Sequence, residues 1–499
     1  MKRVSQLILL ALLLALTSFV LSARNTDALI VVQQSDAKTL DPSGSSDAYS
    51  SNVNLNLYDR LFDYNTEMKI TPSLAESYRQ LDELTLQVVL KKGVKFHNGD
   101  ELTAEDVKFS LERAASAPAA LTYFGNVEKV EIVDPYTVNI VTKKPYGPLL
   151  NSLANALGSI VNKKYVESAG PEAFFKPVGT GPFIFESWKA GDRISLKTNK
   201  AYFNGPSKVD GLLFRVIPES TNRTIALETG EVDIVLTVSP VDADAVEKND
   251  HLKMYRRPSA ALNYMGLNCE KGATADIRVR QAIAAALNLS DVNIAFGRLA
   301  IPAYSVIPPD VLGYVENPEP KQNLEKAKKL LAEAGYKDGL KLKFWTNENS
   351  ARKDAAVIMQ AQLKEAGILI DIEILEFGAY LERLNKGEHD LYLLGTLGST
   401  DPDGSLYSLL HSGSKGSGGN RSFYANKTVD ENLDLGRSST DIPERTKAYQ
   451  KVAEIAKEEI PVVPLVYPPV SVGAQDYIEG FYPYPTFTFL FKDVTKIRK

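Results

Sequence analysis

The sequence predicts an α/β protein whose sheets mix parallel and antiparallel strands, divided among roughly two or three domains. Three observations predict it. Apolar runs of strand character alternate with amphipathic helical patterns along most of the chain, which sets helices against sheets. The length of 499 residues exceeds what one hydrophobic core serves. The composition is that of a globular protein, 44% apolar and 24% charged, with a net charge of −5. Both signs are interspersed and no basic stripe appears, which argues against a nucleic-acid partner.

Lys2 and Arg3 precede the apolar run LILLALLLALTSFVL, Leu7 to Leu21, and the small residues Ser22 and Ala23 follow. That order describes a secretory signal peptide over residues 1–23, cleaved near Ala23. The run is short for a membrane anchor, which needs roughly 20 apolar residues. No later segment is long and apolar enough to span a membrane. No cysteine closes the signal, so the expectation is an exported chain without a lipid anchor, held in a periplasm. The single cysteine, Cys269, has no partner for a disulfide or a Cys-based metal site and reads as a small buried thiol.

The predicted strands run in order through ALIVVQQ, LTLQVVL, TVNIVTKK, LLFRVI, LKLKFW, ILIDIEIL and DLYLLGTL. After the second comes KKGVKFHNGDELTAEDVKFSLERA, Lys91 to Ala114. VKF ends a strand, and HNGD is turn chemistry with Asn98-Gly99 suited to positive φ. Thr103 caps a helix whose first turn carries Glu105 and Asp106, where the helix dipole favours acids. Val107, Leu111 and Ala114 face inward. His97 supplies one ligand where a metal site needs several. It therefore reads as turn architecture, replaceable by Asn within about 0.5 kcal/mol. Further on, Asn323 caps NLEKAKKLLAEAG, with Leu324, Ala327, Leu331 and Ala334 on one face and Gly335 as the stop. ERTKAYQKVAEIAKEEI is a second amphipathic helix, ended by Pro461. GSKGSGGN, Gly413 to Asn420, reads as a flexible loop. There is no internal repeat.

Several stretches carry a resemblance over essentially the whole exported chain. KTLDP, LAESYRQLDELTLQVVLKKGVKF, FHNGDELTAEDVKFSLERA, PVGTGPF, NRTIALETGEVDI, DIRVRQAIAAALN, KAKKLLAEAGY, YLERLNKGEHDL and EIPVVPLVYPP follow one another along the chain. Together they resemble the extracytoplasmic solute-binding proteins of family 5, the peptide, nickel and glutathione-type receptors of ABC importers. The resemblance implies a two-lobed periplasmic-binding-protein fold with a subdomain inserted in the first lobe. It places the first lobe at about 24–260 plus 468–499, with the insertion near 44–175, and the second lobe at 261–467. LNYMGLN (Leu262 to Asn268) and VVPLVYPP (Val462 to Pro469) would be the two crossovers. Two short extended segments of this kind can serve as a hinge.

The resemblance also directs attention to a cleft. In the dipeptide receptors an Asp before a DPD-like stretch holds the ligand ammonium, and an Arg near the start of a second-lobe helix holds its carboxylate. The corresponding stretch here is LLGTLGSTDPDG, Leu393 to Gly404, with Gly398 and Ser399 where the Asp would stand. Gly395, Thr396, Leu397, Gly398 and Ser399 become candidates for ligand contact, largely through backbone. Asp401 is either a ligand acid or the cap of the next helix. In FWTNENSARKDAA, Thr346, Asn347, Arg352 and Lys353 are candidates. The two cations either meet a ligand carboxylate or are solvated first-turn residues. Asn263 and Tyr264, on the predicted crossover, face the cleft or, for Tyr264, the core. GTGPF reads as a tight strand connection.

The expected ligand is a small peptide or peptide-like solute, glutathione-type among the options, and the expected partners are ABC permease subunits, with the receptor a monomer. No cofactor or metal motif appears. Enzyme signatures are also lacking: no G-x-S-x-G, His-rich zinc motif or phosphate loop is present. A hydrolase is therefore disfavoured, and a sensory adaptor that signals through a chemoreceptor is the alternative reading.

Overall fold

The structure is a computed structural model that describes residues 28–396 and 398–497. The predicted signal peptide and the candidate Leu397 lie outside the described residues. Two mixed sheets dominate, and every predicted strand belongs to one of them or to a smaller third sheet.

The first large sheet has seven strands. Leu29–Gln33 sits inside it, parallel to Gly211–Val216 on one side and to Ile234–Val235 on the other. Pro469–Gln475 and Leu252–Pro258 extend it antiparallel. The second large sheet has six strands. In it Leu340–Asn347 runs parallel to Ile368–Leu375 and Leu391–Gly395, while Asn263–Leu267 and Val462–Tyr467 pair antiparallel. The chain passes between these two sheets twice, between Pro258 and Asn263 and again at Pro468. Both passages fall within or beside the predicted crossovers.

A four-stranded antiparallel sheet built from residues 75–142 forms the third unit. Its cover is the helix Ala104–Ser116. The capping expectation holds: Thr103 N–H donates to Asp106 Oδ2 at 2.9 Å. Val107, Leu111 and Ala114 are fully buried in that unit's core. The helix Leu324–Glu333 starts at Asn323, whose side chain accepts from Lys326 N–H at 2.8 Å.

His97 is more than a turn residue. Its Nδ1 accepts from Gly179 N–H at 3.2 Å, and its Nε2 lies 3.0 Å from Gly181 O. With Nδ1 accepting, Nε2 must carry the proton, so the ring is held as one neutral tautomer. Burial pushes its pKa down to about 4. His97 thus clamps the GTG turn, and the expectation of a near-neutral replacement is corrected. The glycines of that turn are needed for space. A Cβ on Gly179 would stand 2.0 Å from Leu57 O, and one on Gly181 2.5 Å from the Leu57 carbonyl carbon. Between them Thr180 donates to the buried Asp59 at 2.7 Å.

The Gly413–Asn420 loop corrects another expectation. It forms two short 3₁₀ turns, and Asn420 is fully buried with its Nδ2 donating to His411 O and Tyr424 O. Cys269 is half-buried and free, and desolvation raises its thiol pKa to about 12. Among the described residues no helix is long and apolar enough to cross a membrane.

Candidate functional site

A cavity of about 490 Å³ opens between the third sheet's unit and the second large sheet. One wall comes from the N-terminal half: Ser46 to Leu55, the pair Arg60 and Asp63, Tyr64, Tyr123, Tyr146 and Asn151 to Leu157. The C-terminal segment adds Tyr484, Thr486 and Thr488. The opposite wall is Gly398 to Asp401, Asp403, Tyr407, Ser414 and Arg437. The walls touch at Tyr64, whose hydroxyl lies 2.5 Å from Thr400 Oγ1 and accepts from Asn151 Nδ2 at 3.2 Å. Gly147 N–H also donates to Arg437 O at 2.7 Å. Aromatic rings and short hydroxyl and amide side chains make this a polar recess of ligand size.

The charges in the wall are arranged in pairs. Arg437 holds Asp403 from Nε at 2.7 Å and Nη2 at 3.1 Å, and its guanidinium lies 3.2 Å from the Tyr407 ring centre. Tyr407 in turn stacks on His411 at 4.1 Å. Arg445, which is buried, holds Asp401 from behind. Arg60 holds Asp63.

The sequence candidates divide into two groups. One gathers at the carboxyl edge of the second large sheet, where ligands of open α/β sheets commonly sit. Arg352, at the start of the helix Ser350–Glu365, donates from Nη1 to Asn347 Oδ1 at 3.2 Å and from Nη2 to Asn263 Oδ1 at 3.0 Å. Gly395 packs directly against it: a Cβ there would be 3.0 Å from Arg352 Nη2. Arg352 has no carboxylate partner among the described residues, and desolvation lowers its pKa. Lys353 follows it, half-buried. The second group, Gly398, Ser399 and Asp401, lines the cavity itself.

Four candidates have side chains engaged within the protein. Tyr264 is 2% exposed and packs edge-on against Tyr392, so its ring is core. Thr346 is fully buried within its strand. Thr396 is used in the backbone: its N–H donates to Leu262 O at 2.8 Å, and its Oγ1 accepts from Leu262 N–H at 3.0 Å. Asp401 lines the cavity, but its carboxylate is occupied by Arg445 and by the Asp403 N–H. Of its two sequence roles, the local cap is the one present. Sequence reasoning missed Asp63, Tyr64, Tyr407, Arg437 and Tyr484. No local motif marks them, because the wall is assembled from segments far apart in the chain.

Comparison with known proteins now decides the family. The family model described as bacterial extracellular solute-binding proteins, family 5 middle, matches residues 69–417. The chain belongs to this family. The glutathione-binding protein GsiB of Salmonella choleraesuis is 31% identical over 480 residues, 93% of this chain and 94% of that protein. Among solved structures, HbpA2 of Haemophilus parasuis superposes with a TM-score of 0.88 at 27% identity, covering 94% of this chain and 99% of its own. The periplasmic binding protein DppA of Helicobacter pylori, in complex with the peptide STSA, gives 0.73 at 30% identity, covering 94% and 98%. The two-lobed fold and the receptor class implied by the sequence therefore stand.

Proposed function

We propose that this protein is the receptor of an ABC importer, working in the periplasm as a monomer without enzymatic activity. It captures a peptide or peptide-like solute between its lobes and delivers it to the permease. The observation that carries the reading is the cavity, one wall of which comes from the N-terminal half and the other from the segment after Leu391–Gly395 of the second large sheet. A site divided in this way is completed only when the two sides approach each other, which is how a closing receptor signals that it is loaded. The names of the relatives support the ligand class, since one binds glutathione and another was solved with a short peptide. Lobe boundaries at 260/261 and 467/468, with an insertion at about 44–175, fit the two passages between sheets. The weaker superposition on the peptide complex, despite its higher identity, fits lobes that change their angle.

Within this reading Arg352 receives a ligand carboxylate. It is a half-buried cation held only by neutral amides, and a buried charge without a counterion is costly. Lys353 stands beside it. The backbone from Gly395 to Ser399 offers hydrogen bonds along the ligand.

Calorimetric titration of ligand-free protein tests the proposal, with dipeptides, longer peptides and glutathione, alongside scattering measurements of lobe closure. At least one of these solutes should bind and shrink the radius of gyration. Arg352→Ala/Lys353→Ala should weaken that binding at least tenfold. Binding undiminished in the double mutant removes the carboxylate assignment. No binding by any member of the panel removes the ligand class.

A further inference from the structure

The cavity wall carries three carboxylates, and they are not equivalent. Asp401 and Asp403 are 6% and 7% exposed at the side chain, and each is held by a guanidinium. Asp401 accepts from Arg445 with both oxygens, at 2.8 Å. Asp403 accepts from Arg437 with both. Both oxygens of each are therefore already engaged by an arginine.

Asp63 differs. Arg60 donates twice to one oxygen, Oδ1, from Nε at 2.8 Å and from Nη2. Oδ2 takes no hydrogen bond among the described residues. The Asp63 side chain is 26% exposed and opens into the cavity, while Arg60 is 2% exposed behind it. Arg60 is also shared. Its neighbour Asp59 is buried and accepts from Tyr202 Oη and Thr180 Oγ1, both at 2.7 Å. Burial raises the Asp59 pKa to about 6, so at neutral pH it too is largely ionised. Arg60 bonds Asp63 and feels the charge of Asp59 without a hydrogen bond to it, so two neighbouring carboxylates lie beside one cation. Tyr64 and Tyr484 border the same corner, and Tyr484 Oη donates to Tyr64 O at 3.3 Å.

We propose that Asp63 Oδ2 is the seat of the ligand's ammonium group, the amino terminus of a bound peptide or its equivalent. This rests on the peptide reading above and adds to it a specificity for a free amine. It also moves the anchor for the ligand's cation to the first wall, away from the Gly398–Ser399 stretch where sequence reasoning looked for it.

A tripeptide library and the same library N-acetylated, each offered to ligand-free protein and weighed by native mass spectrometry, test the assignment. The wild type should retain free tripeptides at least tenfold over acetylated ones, and Asp63→Asn should abolish that preference. Asp63→Glu keeps the charge that Arg60 needs but displaces it by one methylene, so its preference should fall while folding is preserved. It decides the matter should the Asn variant not fold. A wild type indifferent to acetylation overturns the proposal, as does a preference unchanged in a folded variant. Retention of neither library would instead remove the peptide reading itself.

Discussion

Arg445 Nη2 donates to both carboxylate oxygens of Asp401 at 2.8 Å, in a setting where both side chains are buried. The same guanidinium bonds Gly436 O through Nε at 2.7 Å. The pair ties the cavity wall at Asp401 to the long helix Ile442–Glu459. Removing one member of such a pair strands the other charge, which costs about 3–5 kcal/mol. Arg445→Ala and Asp401→Ala should each lose stability of that order in chemical denaturation. The double variant should lose less than the sum, because neither charge is then left alone.

Gly147 supplies a prediction about the approach of the two walls. A Cβ at this position would stand 2.0 Å from Ser439 O, on the opposite side of the cavity. Gly147→Ala therefore forces the walls apart, and it also presses on the buried Arg445, whose Nε would lie 2.7 Å from the added Cβ. Affinity for a ligand that needs both walls should fall, and the radius of gyration of the liganded state should rise. Melting temperature should fall as well, because the Arg445–Asp401 pair is disturbed. Unaltered scattering together with unaltered affinity would show that the seam relaxes locally.

Stability should decline on mild acidification. Burial lowers the pKa values of His97 and His389 to about 4, whereas the unfolded chain protonates histidine near 6.5. Between those values the unfolded state binds more protons, so stability falls as pH drops from about 6.5 to about 4. Asp59 acts with the opposite sign: its raised pKa, about 6, makes the fold take up a proton before the unfolded chain does. The buried Asp106 and Asp403, whose pKa values desolvation also raises, act in the same sense as Asp59. His97→Asn should flatten the slope of melting temperature against pH and, by breaking the clamp on Gly179 and Gly181, lower stability by about 1–3 kcal/mol at neutral pH.

Much of the fold was legible because its signals are local. The seven strand runs carry their own apolar character, and Thr103 with Asp106 or Asn323 with Lys326 are capping pairs only three residues apart. The edge formed by Asn263, Asn347, Arg352 and Gly395 was legible through resemblance, since its members sit in recognisable stretches. Side-chain direction was not. Tyr264 lies on a strand buried on both faces, and Thr346 in the Phe344–Thr346 end of a strand whose alternation, exposed at Lys341 and Lys343, stops there, so the pattern no longer separates core from cleft. The cavity was least legible. Tyr64 and Thr400 meet from positions 336 residues apart, and Arg445 reaches Asp401 across 44. Nothing in either stretch alone signals its partner.

Leu299 joins the two large sheets at a third point, and this can be measured. It precedes Ile301–Pro302, which pairs with Tyr467 and Val466 in the second large sheet. Its side chain, however, is fully buried among Ala226, Leu227, Val235, Val238, Ala243 and Val246, the core under the first large sheet. Arg256, paired in register with Ser471 of the first sheet, donates to Leu299 O at 3.0 Å and Ala300 O at 2.9 Å. Arg298 adds ion pairs to Asp244 and to Glu247, the latter at 2.7 Å. This plug lies within a few residues of Pro468, where the chain passes between sheets, so a rotation about that passage displaces it little. Leu299→Ala should cost about 2–5 kcal/mol through the cavity it leaves. Arg298→Ala, which removes only exposed pairs, should cost no more than about 1 kcal/mol. A pivot has a second consequence that an ordinary core residue lacks: Leu299→Ala should broaden the lobe-angle distribution of ligand-free protein in solution scattering. Val246→Ala, in the same core but wholly within the first lobe, should destabilise without broadening. Equal scattering for the two variants would leave Leu299 a packing residue and nothing more.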